Sequence, residues 1–195
     1  MHGLINRSIQ TFLRDTYGEP LWLDVVASAD LPVAEFEAML TYDDALTWRV
    51  LDAAAARLRK SRAMVLEDIG TYLVSHPNNE GLRRLLRFAG LTYEDFLHSL
   101  DDLPDRTRLA VSDLDLPELE LRQHSGKRFT ITCSGRLPGF GHVLAGILRA
   151  MADDYGALVM LDHGGQSGTQ EVVEVTLVES AFAEGRAFDL GARTG

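Results

Sequence analysis

Apolar residues return at helical spacing as far as about residue 111 and at alternating spacing after Pro117. Leu4, Ile5, Ile9, Phe12 and Leu13 form one stripe, closed by Tyr17-Gly18 with Pro20 behind it, a stop of the glycine-then-proline kind. LWLDVVASA reads as a second short helix, and TYDDALTWRVLDAAAARLRKS offers Asp43 or Asp44 as N-cap to an alanine-rich body. RAMVLEDIGTYLVSH is a further helix stopped by Pro77, and NNEGLRRLLRFAG runs from asparagine caps to Gly90. TYEDFLHSLDDL opens with Thr92, three residues before Asp95, an acidic form of the capping box. Phe96, Leu97, Leu100 and Leu103 make one stripe, after which Pro104 removes a backbone donor and kinks or ends the helix. Asp105 to Val111 keep a helical pattern beyond it.

The later period is two. LELRQ and RFTITCS flank HSGK as a hairpin, a helix follows over Gly139–Tyr155 and stops at Gly156, and ALVMLDH and QEVVEVTLVES pair about the loop GGQSGT. Helices followed by a four-stranded antiparallel sheet with one inserted helix predict an α+β fold. The pattern is that of one domain over residues 1–185, helical over about 1–60 and sheet-containing over about 61–185. The charged, glycine-containing EGRAFDLGARTG reads as loosely ordered, with residues 186–195 as a tail.

Alternation along RFTITCSGR sends Phe129, Ile131 and Cys133 one way and Thr130, Thr132, Ser134 and Arg136 the other, if the strand stays regular that far. Two readings of Ser134 and Arg136 stay open. They are part of a solvated sheet face, with Arg136 an ion-pair partner for a carboxylate such as one in the first helix. Or they are an anion clamp, in which a guanidinium and a hydroxyl hold a carboxylate or phosphate.

Composition narrows the function classes. At 195 residues and 46% apolar content the chain suffices for a packed core. A net charge of −10 argues against nucleic-acid binding. The single cysteine, Cys133, leaves no internal disulfide and suits a reducing compartment. No apolar run approaches the ~18 residues of a membrane span, and MHGLINRSIQ lacks the pattern of a secretory signal. These features predict a cytoplasmic protein. No nucleophile–base spacing, metal motif or phosphate-cradling loop is present, and HGGQSG is a hairpin turn, so the chain does not read as an enzyme.

Along nearly its whole length the chain resembles the H-NOX family, the heme nitric oxide/oxygen binding domains found alone in bacteria and at the N-terminus of soluble guanylate cyclase. The pieces that carry the resemblance are HGLINRSIQTFLRDTYGEPLW, YDDALTWRVLDAAA, GLRRLLRFAGLTYEDFLHSLDDL, LPEL, TCSGR and GFGHVLAGILRAMADDYG, in that order. It implies that Ser134 and Arg136 match the groups gripping the heme propionates, that Pro117 matches a proline pressing on the heme, and that Ile5 and Val143 fall in the distal pocket. Heme-binding members read Leu-Asp-x-Leu-His, the histidine being the proximal iron ligand. Here the stretch is Leu100-Asp101-Asp102-Leu103-Pro104, and proline has no donor atom for iron. The family's Tyr-x-Ser-x-Arg is departed from as well, with Thr132 in place of the tyrosine.

The expectation is a sensor or signalling module with a degenerate heme site, with heme absent or weakly bound. It would act through an unknown partner protein or a non-heme small molecule, with no metal, nucleic acid or membrane. A subunit of soluble guanylate cyclase carrying an H-NOX domain without the ligand is the precedent, and with no output domain on this chain a signal would pass to another protein. The alternative is a heme-binding nitric oxide sensor with an unusual axial ligand. For that role His142 and His2 are the candidates. His98 lies six residues before Pro104, about 240° around a helix, and His76, His124 and His163 sit beside turn residues.

Overall fold

The structure, a computed structural model, describes residues 1–88 and 90–188. Its helices are α1 (Gly3–Tyr17), α2 (Glu19–Ser28), α3 (Asp44–Leu58), α4 (Arg62–Ser75), α5 (Glu80–Arg87), α6 (Tyr93–His98), α7 (Leu103–Ala110) and α8 (Phe140–Tyr155). Strands β1 (Glu118–Ser125), β2 (Arg128–Ser134), β3 (Leu158–Ser167) and β4 (Gln170–Glu179) form an antiparallel sheet in the order β1-β2-β4-β3. The α+β class and the single inserted helix are as the periodicity predicts.

Local chemistry explains the helix starts. His2 caps α1 through Nδ1, Asp43 caps α3 and Ser61 caps α4, each accepting from an amide of the first turn. Thr92 and Asp95 form the expected capping box on α6. Asn79 does not cap α5 with its side chain. Pro77–Asn79 instead form a 3-10 turn, and the asparagine amides go to Asp15 and to the Tyr72 carbonyl.

The stretch around Pro104 is not one kinked helix. The helix ends at His98, Leu100–Asp102 form a 3-10 turn, and α7 begins with Pro104 in its first turn, where a missing N–H costs nothing. The break therefore lies some residues before the proline, and the proline starts a helix. The 3-10 turn also serves β1: Asp101 Oδ1 accepts from the Leu121 amide at 2.8 Å.

β3 runs through most of the predicted GGQSGT loop to Ser167, with its register shifting between His163 and Gln166. Two apolar clusters fill the interior. The first joins α1–α4 through Phe12, Leu13, Trp22, Phe36 and Leu51; the second joins α5–α8 and the sheet through Phe96, Leu97, Leu100, Leu103, Ile131, Leu144 and Val173. Val143 packs against both. Among the described residues no helix is long and apolar enough to cross a membrane.

Candidate functional site

The strand carrying Ser134 is not regular as far as Arg136. Ser134 pairs with Glu118 of β1 and Gln170 of β4, the first residue of each, so β2 runs out of partners on both sides together. Gly135 donates to the Thr169 carbonyl, and Arg136 follows in a bend. Ser134 and Arg136 nevertheless line one cavity of about 210 Å³ with Gly135, Arg108, Asp115 and Glu118. That is below the roughly 300–1,000 Å³ of pockets that enclose a drug-sized ligand, and suits an anionic group on a small molecule.

The charges around this cavity are unequally committed. Arg108 is held by Asp105 at 2.6 Å and lies 3.7 Å from Asp115. Arg136 is exposed and has no carboxylate within ion-pair distance among the described residues. Ser134 Oγ accepts from Gln170 Nε2 at 3.2 Å, leaving its hydroxyl hydrogen to donate.

Pro117 is buried beside this group. A Cβ on Gly135 would stand 2.9 Å from Pro117 Cα, so only glycine lets the Ser-Gly-Arg bend lie on the proline. Pro104 is buried at the start of α7, next to Leu103 of the second cluster. Ile5 packs in the first cluster, and Val143 lies between the two. Ser134, Arg136 and Pro117 thus come together, whereas Pro104, Ile5 and Val143 belong to the packed interior.

The histidines are engaged elsewhere. His142 Nδ1 lies 3.6 Å from Glu67, and its ring stacks on His163 at 4.0 Å and 11°. His163 is no simple turn residue: its Nδ1 accepts from the Gly165 amide, so Nε2 carries the proton of the neutral ring and faces Glu171 Oε2 at 3.2 Å. Buried Glu171 in turn accepts from the amides of Gly139 and Gly141, closing the N-terminus of α8. His2 lies 3.2 Å from Asp113. His98 is exposed, with its ring edge-on to Phe129. Burial, with the Glu171 carboxylate adding to it, pushes the Cys133 thiol up to about 12, so it stays protonated. No group of three or more metal-binding side chains is present among the described residues.

The pattern alone did not single out Arg108. It lies four residues after Pro104, on the same helix face, which was the available signal.

The Haem-NO-binding family model matches residues 2–163. The chain belongs to that family. Among curated proteins, soluble guanylate cyclase gcy-31 of Caenorhabditis elegans is 23% identical over 154 residues, covering 79% of this chain and 22% of that protein. Soluble guanylate cyclase 89Da of Drosophila melanogaster is 23% identical over 155 residues, 80% of this chain and 23% of its own length. The chain thus spans less than a quarter of these relatives. The Fe(II) unliganded H-NOX protein from K. algicida superposes with a TM-score of 0.76 at 15% identity, over 94% of this chain and all of that one, which shows a shared H-NOX fold.

Proposed function

We propose that this haem-NO-binding family domain is a sensor or signalling module whose heme site has degenerated. It works through a protein partner, with the cavity at Ser134 and Arg136 retained for an anionic small molecule. The observation that carries the reading is Pro104. By the family resemblance it falls at the iron-ligand position, it offers no donor atom, and it is buried in the first turn of α7. Nearby alternatives do not fit an axial role either. Cys133 is protonated and buried, and His142 and His163 are stacked on each other between two carboxylates. The residue set therefore does not suit an iron-ligated heme, and the domain is read as non-enzymatic.

Two measurements test the proposal. The protein expressed with ample heme supply is expected to purify without a Soret band. In thermal melts, small di- and tricarboxylates or phosphate esters are expected to stabilise the parent and not Arg136→Ala. A stoichiometric Soret band would overturn the degenerate-site reading. Equal stabilisation of the parent and Arg136→Ala would overturn the anion site.

A further inference from the structure

We infer that residues 182–188 form a latch, a strap that docks on the end of α8 and on α5 and releases from them while the rest of the fold stays closed. The first contacts are made by the backbone. The Gly156 carbonyl accepts from the amides of Phe182 and Ala183 at 2.9 and 3.0 Å, and the Asp154 carbonyl accepts from the Arg186 amide at 2.9 Å. Two glycines permit this approach. Gly156 has φ +75°, and a Cβ there would stand 2.2 Å from the Ala183 carbonyl oxygen. A Cβ on Gly185 would stand 2.9 Å from the Asp154 carbonyl oxygen.

Two arginines of α5 supply the side-chain half of the dock. Arg83, buried, binds Asp154 Oδ1 at 2.8 Å and the Ala187 carbonyl at 3.0 Å. Arg87, one turn on, lies over the Tyr155 ring at 3.9 Å and the Phe188 ring at 4.9 Å. One guanidinium thus touches the domain on one side and the strap on the other. The segment that reads as a loose tail from Glu184 is held in place as far as Phe188, and the rest of it, 189–195, lies outside the described residues.

The same contacts make the dock reversible. No residue of the strap enters either apolar cluster, and Phe182 remains 62% exposed. A segment held by a few hydrogen bonds and the two cation–π contacts of Arg83 and Arg87 to Phe188 opens locally before a packed core does. Among the described residues Arg87 Nε and Asp154 Oδ2 are buried without hydrogen-bond partners, Asp154 Oδ2 keeping an ion-pair contact with Arg87 Nη1 at 3.5 Å.

Limited trypsin digestion of the full chain reads the latch at Arg186, whose cleavage removes residues 187–195 and is identified by mass. Gly185→Val blocks the backbone approach, and Phe188→Ala removes the ring that Arg83 and Arg87 lie over while leaving both arginines on Asp154. Both variants are expected to be cut at Arg186 about tenfold faster than the parent, since cleavage follows the open population, with unchanged thermal melts. Hydrogen exchange at the Phe182, Ala183 and Arg186 amides is expected to speed up in step. Equal cleavage in all three proteins would overturn the dock. Faster cleavage together with a lowered melt would make the strap part of the core and overturn the latch.

Discussion

The carbonyl oxygen of Val143 stands where a side chain on Gly70 would begin: a Cβ built there would be 2.0 Å away. The relation is reciprocal, since a Cβ on Gly146 would stand 2.0 Å from the Glu67 carbonyl oxygen. α4 and α8 therefore cross with their backbones in contact, at the place where Val143 joins the two apolar clusters. Gly70→Ala is expected to cost about 1–3 kcal/mol despite alanine's better helix propensity, because the intruding methyl meets backbone that cannot step aside. Gly81 on α5 has nothing within 4 Å of its Cβ direction, so Gly81→Ala is the control and gains up to about 1 kcal/mol. Urea unfolding of the two variants checks both signs.

Asp95 carries a pH-dependent share of stability. Its carboxylate is held below the usual range first by the Thr92 hydroxyl and then by the Thr92 amide, with burial opposing. A carboxyl whose folded pKa lies below its unfolded value stabilises fully above the unfolded value, and that share is lost as pH falls through the folded one. Asp95→Asn is therefore expected to cost about 0.5–1 kcal/mol at neutral pH, a modest figure because the group is exposed. The difference from the parent should close below about pH 4. Denaturant melts of both proteins across that range measure it.

Arg136→Ala is expected to leave the thermal melt in plain buffer unchanged, because the guanidinium is exposed and has no carboxylate partner among the described residues. Arg83→Ala is the contrast. It takes the 2.8 Å partner from buried Asp154 and leaves it Arg87 at 3.5 Å, and removing one partner of a buried pair costs about 3–5 kcal/mol.

Much of this was legible in the sequence, and the gaps have physical causes. The stripe from Phe96 to Leu103 gave the core correctly, since all four of its residues are buried. The position of the break was not legible, because a proline suits a helix's first turn as well as its kink. Alternation through TCSGR overran at Ser134 because a strand ends where its neighbours end, and the starts of β1 and β4 are not written in β2. The Glu171–His163–His142 contact joins β4, β3 and α8 and has no local signature. The resemblance supplied an expectation that spacing could not, that Pro104 falls at the ligand position.

The resemblance assigns Val143 to the distal pocket, which gives a check on any heme that the fold is made to accept. Its side chain has no hydrogen to donate to a bound gas. A heme-loaded ferrous variant of this chain is expected to bind nitric oxide and to form no stable oxygen complex in air, read from its visible spectrum.

Heme titration of the parent beside Pro104→His and Pro104→His/Thr132→Tyr, followed at the Soret band, is the most direct test of a degenerate site. The histidine supplies a donor atom at the position that the resemblance assigns to the ligand, and the tyrosine completes the family's Tyr-x-Ser-x-Arg. The account predicts weak or no uptake by the parent and tighter uptake by the variants, strongest in the double one. Equal stoichiometric uptake by all three would contradict it.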